Sequence, residues 1–214
     1  MTQKTILFDL DGTLTDSGDG IINCASLALA HCGIPVPDKE TMRVFVGPPL
    51  HDTLADFGVP ADKMDEAIEV FRKRYFTIGK FENIPYPGIP ELLQTLQAQG
   101  HKLLIATSKP EVLAVEILNH FGLAGYFDRI CGATLDTSRV TKEDVIAYLL
   151  ELNGSAENMV MVGDTAFDVI GAAAHGIPTI GVSWGYGKVE DMEQAGAKAI
   201  AHSTRELQRL LEDQ

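Results

Sequence analysis

Short aliphatic runs that break abruptly into polar, glycine-bearing segments, and then into helix-periodic stretches, restrict what this chain can fold into. Thr5–Phe8, Lys102–Ala106, Met159–Val162 and Pro178–Val182 are the clearest runs. Each is short and almost uniformly apolar, the pattern of a strand covered on both faces in a parallel sheet. Pro90–Gln99, Glu111–Phe121, Glu143–Leu152, Phe167–His175 and Arg205–Leu211 carry helical spacing, several closed by a glycine. This alternation predicts an α/β fold built on a doubly wound parallel sheet, a Rossmann-like core.

The alternation lapses over residues 16–81, where helical patterns follow one another with no convincing strand. An inserted all-helical domain of 16–81 is expected there, inside a core made of 1–15 and 82–214. Met64, Ala67, Ile68, Phe71, Tyr75 and Ile78 form an apolar stripe at spacings of three and four, as helices packing on each other require. Ile84-Pro-Tyr-Pro-Gly-Ile-Pro90 marks the return to the core, because its prolines favour an extended connection. Gly47-Pro48-Pro49 interrupts two helical patterns and predicts a stiff loop, with Arg43 the nearest fixed cation. Arg72, Lys73 and Arg74 read better as a solvated helix face.

Composition narrows the function classes. A net charge of −13 over 214 residues disfavours binding a nucleic-acid polymer, and any phosphate ligand needs a cation beside it. Cys24, Cys32 and Cys131 form no CxxC pair, so buried free thiols are expected. The apolar run near the start is too short for a signal peptide, and no run approaches a membrane span, so a cytoplasmic protein with no membrane partner is expected.

Polar chemistry gathers where the apolar runs end. Asp9 and Asp11 follow the first run, Thr107-Ser108-Lys109 the second, and Gly163-Asp164 with Asp168 the third. Ligands of open α/β sheets bind at the carboxyl ends of strands, so these distant segments are expected at one edge. Asp9 and Asp11 project to the same side of an extended chain. Like charges that close resist simultaneous ionisation, which suits an ionised nucleophile beside a general acid. Hard carboxylate oxygens suit Mg2+, which takes one or two protein carboxylates, here Asp9 and Asp164. Asp168, one helical turn beyond Asp164, has an equal second reading as the acid of a helix N-terminal turn. Lys142, opening a helix after the Ile130–Gly132 strand, is the expected phosphate cation, with Lys109 and Lys102 as alternatives. Gly181–Lys188 lacks the spacing of a phosphate-binding P-loop and reads as a loop near the site, with Trp184 packing.

Asp9-Leu-Asp-Gly-Thr-Leu14, Thr107-Ser-Lys109, Lys142 and Gly163-Asp164 with Asp168 resemble the four ordered motifs of the haloacid dehalogenase superfamily. The helical insertion is similar to that of its capped phosphoglycolate phosphatase-like and nucleotidase-like branch. The resemblance implies a magnesium-dependent phosphatase in which Asp9 attacks phosphorus and Asp11 protonates the leaving oxygen, then activates water. It implies Thr107, Ser108 and Lys142 as phosphate-binding residues, and Asp9, Asp11 (through its carbonyl), Asp164 and Asp168 as the metal set. Arg43 and Gly47 would then select the leaving group of a small phosphorylated metabolite, phosphoglycolate or a nucleotide-like ester. A phosphomutase and a non-catalytic phosphate-binding protein are the alternatives. Presence of Asp11 disfavours a dehalogenase.

Overall fold

A computed structural model describes residues 3–212; the expected outer domain limits at 1 and 214 lie outside them. The elements run β1 (Thr5–Phe8), β2 (Thr15–Asp16), α1 (Gly18–His31), a 3-10 turn (Thr41–Phe45), α2 (Leu50–Asp56), α3 (Met64–Tyr75), β3 (Ile84–Pro85), α4 (Ile89–Ala98), β4 (Lys102–Pro110) and α5 (Glu111–His120). They continue with β5 (Arg129–Ala133), α6 (Lys142–Asn153), β6 (Met159–Gly163), α7 (Ala166–Ala173), β7 (Thr179–Val182), α8 (Val189–Gln194), β8 (Ala199–Ala201) and α9 (Thr204–Glu212). Two compact units result: one runs to Thr15 and resumes at Pro85, and the other spans Asp16–Ile84.

The first unit holds a six-stranded parallel sheet of order β5-β4-β1-β6-β7-β8. Leu7 and its neighbours explain why β1 is central. Ile6, Leu7 and Phe8 have no exposed surface. Alternation sends Ile6 and Phe8 into one layer with Leu93, Ile117 and Leu207, and Leu7 into the other with Val145, Leu149 and Met161. Covering each such side chain contributes about 2 kcal/mol, which only a strand with helices on both faces can collect in full. Phe8 pairs with Ile105 of β4 and Val162 of β6, so the residues just beyond these three positions share the carboxyl edge of the sheet.

Three details depart from the sequence reading. β4 extends past Ala106 to Pro110, because Thr107, Ser108 and Lys109 stay extended beyond the end of β1. β8 and α8 are additional, being too short and too poor in large apolar residues to stand out. The third concerns the second unit, where α1 packs on α3 and Phe71 stacks on Tyr75 at 5.5 Å. Met64, Ala67, Phe71 and Tyr75 are buried as expected, but α3 stops at Tyr75 and Ile78 is 56% exposed.

Arg74 is not a free surface cation: its guanidinium bonds both oxygens of Glu82, at 2.6 and 2.8 Å, and also donates to the buried Cys24 sulfur. Glu82 O also accepts from Gly20 N, so residue 82 is held within the helical unit, which ends at Ile84. All three cysteines are buried and free. No helix among the described residues is long and apolar enough to cross a membrane.

Candidate active site

The loop after β1 is built by its own backbone. Thr13, Leu14 and Thr15 N–H groups all converge on Leu10 O, at 3.3, 2.9 and 3.0 Å, which coils the chain back over the strand end. Gly12 makes the coil possible: its φ of +80° is left-handed, and a Cβ there would lie 2.2 Å from Asp164 Oδ2. Asp9 N still pairs with Val162 O at 2.9 Å, so the first acid sits on the sheet ladder and not in the coil that follows it.

Lys142 is placed by helix capping. Thr141 Oγ1 accepts from Asp144 N at 3.1 Å and Asp144 Oδ2 accepts from Thr141 N at 2.9 Å, a reciprocal box that starts α6 at Lys142. The lysine stem then crosses α7 at Gly171, where a Cβ would come within 2.8 Å of it. Its ammonium, in a residue only 5% exposed, reaches Ala106 O at 2.7 Å, Asp9 Oδ1 at 2.9 Å and Asp168 Oδ1 at 2.8 Å. The Asp168 contact is an ion pair outside hydrogen-bond alignment. The other Asp168 oxygen accepts from Thr165 N and Oγ1 at 3.0 and 2.9 Å, so this acid also caps α7.

Asp164 follows β6 and is 1% exposed, with Thr13 Oγ1 at 3.2 Å from Oδ1 and Tyr186 N at 2.8 Å from Oδ2. Oxygen atoms of Asp9, Asp164 and Asp168 lie within 4.8 Å of one another. Three carboxylates this close, balanced by Lys142, leave a buried excess of negative charge. Burial pushes the Asp9 carboxyl up to about 6, with the charge of Asp168 adding to it and Lys142 opposing. Burial, then the charges of Asp168 and Asp9, push Asp164 up to about 8. Burial opposes the charge on Lys142, but Asp168 and Asp9 outweigh it and hold its pKa at about 12.

The other expected residues divide. Thr107 is buried and bonds Asp9, and its Oγ1 also accepts from Lys109 N. Lys109, on the same side of β4, pairs with Asp11 Oδ2 at 2.6 Å. Ser108 alternates to the opposite side and is exposed. Lys102 is ruled out as the phosphate cation: it opens β4, about 16 Å of strand away from Thr107, and bonds Asn153 instead. Arg43 lies exposed on the 3-10 turn of the helical unit, and Gly47 is exposed with φ of +110°.

A pH dependence follows from the acid cluster. Folded Asp9 and Asp164 hold protons that the unfolded chain releases above about pH 4, so stability falls as pH rises toward about 8. Thermal melts of the metal-free protein between about pH 5 and about pH 8 are expected to show a declining midpoint, and Asp164→Asn should flatten the decline. A midpoint that climbs across this interval in the wild type would contradict the buried excess charge.

The haloacid dehalogenase-like hydrolase family model matches residues 6–182. The chain is 44% identical over 201 residues to the tyrosine-protein kinase PtkA of Mycobacterium tuberculosis, covering 94% of this chain and 69% of that protein. It is 42% identical over 189 residues to a 5'-nucleotidase of Pseudomonas aeruginosa, covering 87% and 86%. A crystal structure described as a predicted phosphatase from Clostridium acetobutylicum superimposes with a TM-score of 0.94 at 40% identity, over 100% of both chains. The match runs through every strand end that carries an acid or a lysine of the site, and this chain belongs to the haloacid dehalogenase-like hydrolase family.

Proposed function

We propose that the protein is a magnesium-dependent phosphatase of small phosphomonoesters, working through a phosphoryl group carried on Asp9. The observation that carries this reading is the convergence on Asp9 of Lys142 at 2.9 Å, the Thr107 hydroxyl and the Asp164 carboxylate. Mg2+ fits the donor set: hard carboxylate oxygens, and a negative excess that Lys142 alone does not balance. Asp9, Asp164 and the Asp11 carbonyl would hold the ion, with Asp168 reaching it directly or through water. When bound, Mg2+ supplies positive charge to the phosphoryl oxygens as the leaving oxygen departs.

The chain's own residues perform the transfer. Lys142 and the Thr107 hydroxyl hold and orient the phosphoryl group against Asp9. An Asp9 oxygen bonds to phosphorus as the ester P–O bond breaks, and Asp11 gives its proton to the leaving alcohol. Asp11, now a carboxylate, takes a proton from water as that water attacks phosphorus, which releases inorganic phosphate and regenerates Asp9. Asp11 Oδ1 is buried without a hydrogen-bond partner, which fits a group that exchanges a proton with substrate oxygens. Lys109, on the other Asp11 oxygen, supports the anionic half of the cycle.

Leaving-group selection is assigned to Arg43 and the Gly47 loop of the helical unit, acting as a cap, because an exposed arginine can grip a carboxylate or second phosphate through two hydrogen bonds. The substrate is a small phosphorylated metabolite, and the Pseudomonas relative's name favours a nucleotide-like ester over phosphoglycolate. The Mycobacterium relative's name supports a second reading, transfer to a protein tyrosine.

One assay separates these readings: phosphate release with Mg2+ across a panel of phosphorylated metabolites, alongside a tyrosine peptide with ATP. Fast release from one ester is expected, and peptide phosphorylation without phosphate release would overturn the phosphatase reading. Arg43→Ala should cut turnover of that ester about tenfold or more and leave a small aryl phosphate nearly unchanged. Equal effects on both would remove Arg43 from recognition.

A further inference from the structure

We propose that Trp184-Gly185-Tyr186-Gly187, the turn leaving β7, is a positioning strap that sets the Asp164 carboxylate for divalent-cation binding. The proposal rests on the reading of Asp164 as a metal-holding acid. This turn carries none of the acids or lysines of the site, and its glycine spacing does not make a phosphate loop. Its contacts converge instead on Asp164 and on Thr13, which bonds it.

Tyr186 N donates to Asp164 Oδ2 at 2.8 Å, while Thr13 Oγ1 donates to Oδ1 at 3.2 Å, so each carboxylate oxygen has its own donor. The two donors are tied together, because Trp184 Nε1 donates to Thr13 O at 3.0 Å. The indole is itself seated against Tyr86, ring centroids 6.4 Å apart. The glycines supply room and not unusual backbone angles, since neither Gly185 nor Gly187 has a left-handed φ. A Cβ on Gly185 would lie 2.3 Å from Asp164 Oδ2 and 2.5 Å from Gly12 O, and one on Gly187 would lie 2.1 Å from Asp164 O. Gly12 closes on the same carboxylate from the loop after β1. Asp164 is therefore held between two loops that admit no side chain at Gly12, Gly185 or Gly187.

The physical consequence is pre-organisation. A carboxylate whose two oxygens are already oriented loses little rotational freedom when a cation arrives, and partners of metal ligands typically tune metal affinity by about 10- to 100-fold. Residues that only closed the core would alter stability and leave cation affinity alone.

Calorimetric titration of Mg2+ into the full-length protein, with melts in chelator as a control, tests the strap through two variants. Gly185→Ala should weaken Mg2+ binding about tenfold or more, and turnover lost at low Mg2+ should return at high Mg2+. Trp184→Phe keeps an aromatic ring but loses the tether to Thr13, and should weaken Mg2+ binding a few-fold while the metal-free protein stays folded, its midpoint lowered only by the lost hydrogen bond and packing. It carries the test alone if Gly185→Ala does not fold. Wild-type Mg2+ affinity in folded Gly185→Ala, or in Trp184→Phe, would overturn the strap and leave the phosphatase reading standing. A wild-type protein that binds no Mg2+ would overturn that reading, and the strap with it.

Discussion

Asp9→Asn is expected to release phosphate at least about a thousandfold more slowly than the wild type, while folding normally. The amide keeps the shape of the carboxylate and can still accept from Leu10 N, which bonds Asp9 Oδ1 at 2.7 Å. It cannot attack phosphorus. Burial and then Asp168 raise Asp164 most, and removal of the Asp9 charge relieves the repulsion that adds to them, so the metal-free midpoint near pH 8 should not fall below that of the wild type. Phosphate assays and chelator melts on the same preparation read both effects. Near-wild-type release would remove Asp9 from the chemistry, and a large loss of stability would mean that its charge is structural.

Lys142→Met should have the opposite balance, damaging both fold and activity. Methionine fills the stem but leaves Asp9 and Asp168 without their shared cation and Ala106 O without a donor. Breaking one partner out of a buried ionic network costs about 3–5 kcal/mol. Turnover should drop about a hundredfold or more, since the phosphoryl group loses its cation. The stability loss should be greatest near pH 8 and smaller near pH 5, where Asp9, held at about 6, and Asp164, at about 8, take up protons and need no counter-charge. Denaturant titrations at the two pH values check this. A loss equal at both would show that Lys142 acts through packing and not through charge.

The sheet was legible in the sequence because full burial forces a strand to be almost purely apolar, as in Ile6-Leu7-Phe8. The same rule hid the end of β4, where Thr107 and Lys109 are polar because they face a site and not a layer of helices, and Ser108 between them is exposed. It also hid β8, whose alanines carry little hydrophobic signal. Periodicity placed α3 but ran on to Ile78, since spacing alone does not mark the stop after Tyr75. Lys142 is placed by local chemistry, since Thr141 and Asp144 cap the helix that presents it.

What sequence could not supply was side-chain pairing across long separations. Asp11 with Lys109, Arg74 with Glu82, and Asp164 with Tyr186 N depend on rotamers and backbone directions that no spacing encodes. Gly181–Lys188 did read as a loop near the site, but only the fold reveals that Asp164 is what Gly185 and Gly187 make room for.

A phosphorylated Asp9 is the claim on which everything else depends, and trapping it is the direct measurement. Asp11→Asn, mixed with Mg2+ and an activated aryl phosphate, is quenched in acid and digested, and the peptides are mapped by mass. Proton transfer to the leaving oxygen matters least for such a substrate, so Asp9 should be phosphorylated while its hydrolysis by water stalls. One phosphoryl group on the peptide containing Asp9, absent in the Asp9→Asn/Asp11→Asn double variant, is the predicted result. Release of phosphate by the wild type with no phosphorylated peptide in Asp11→Asn, or with the label on another residue, would contradict it.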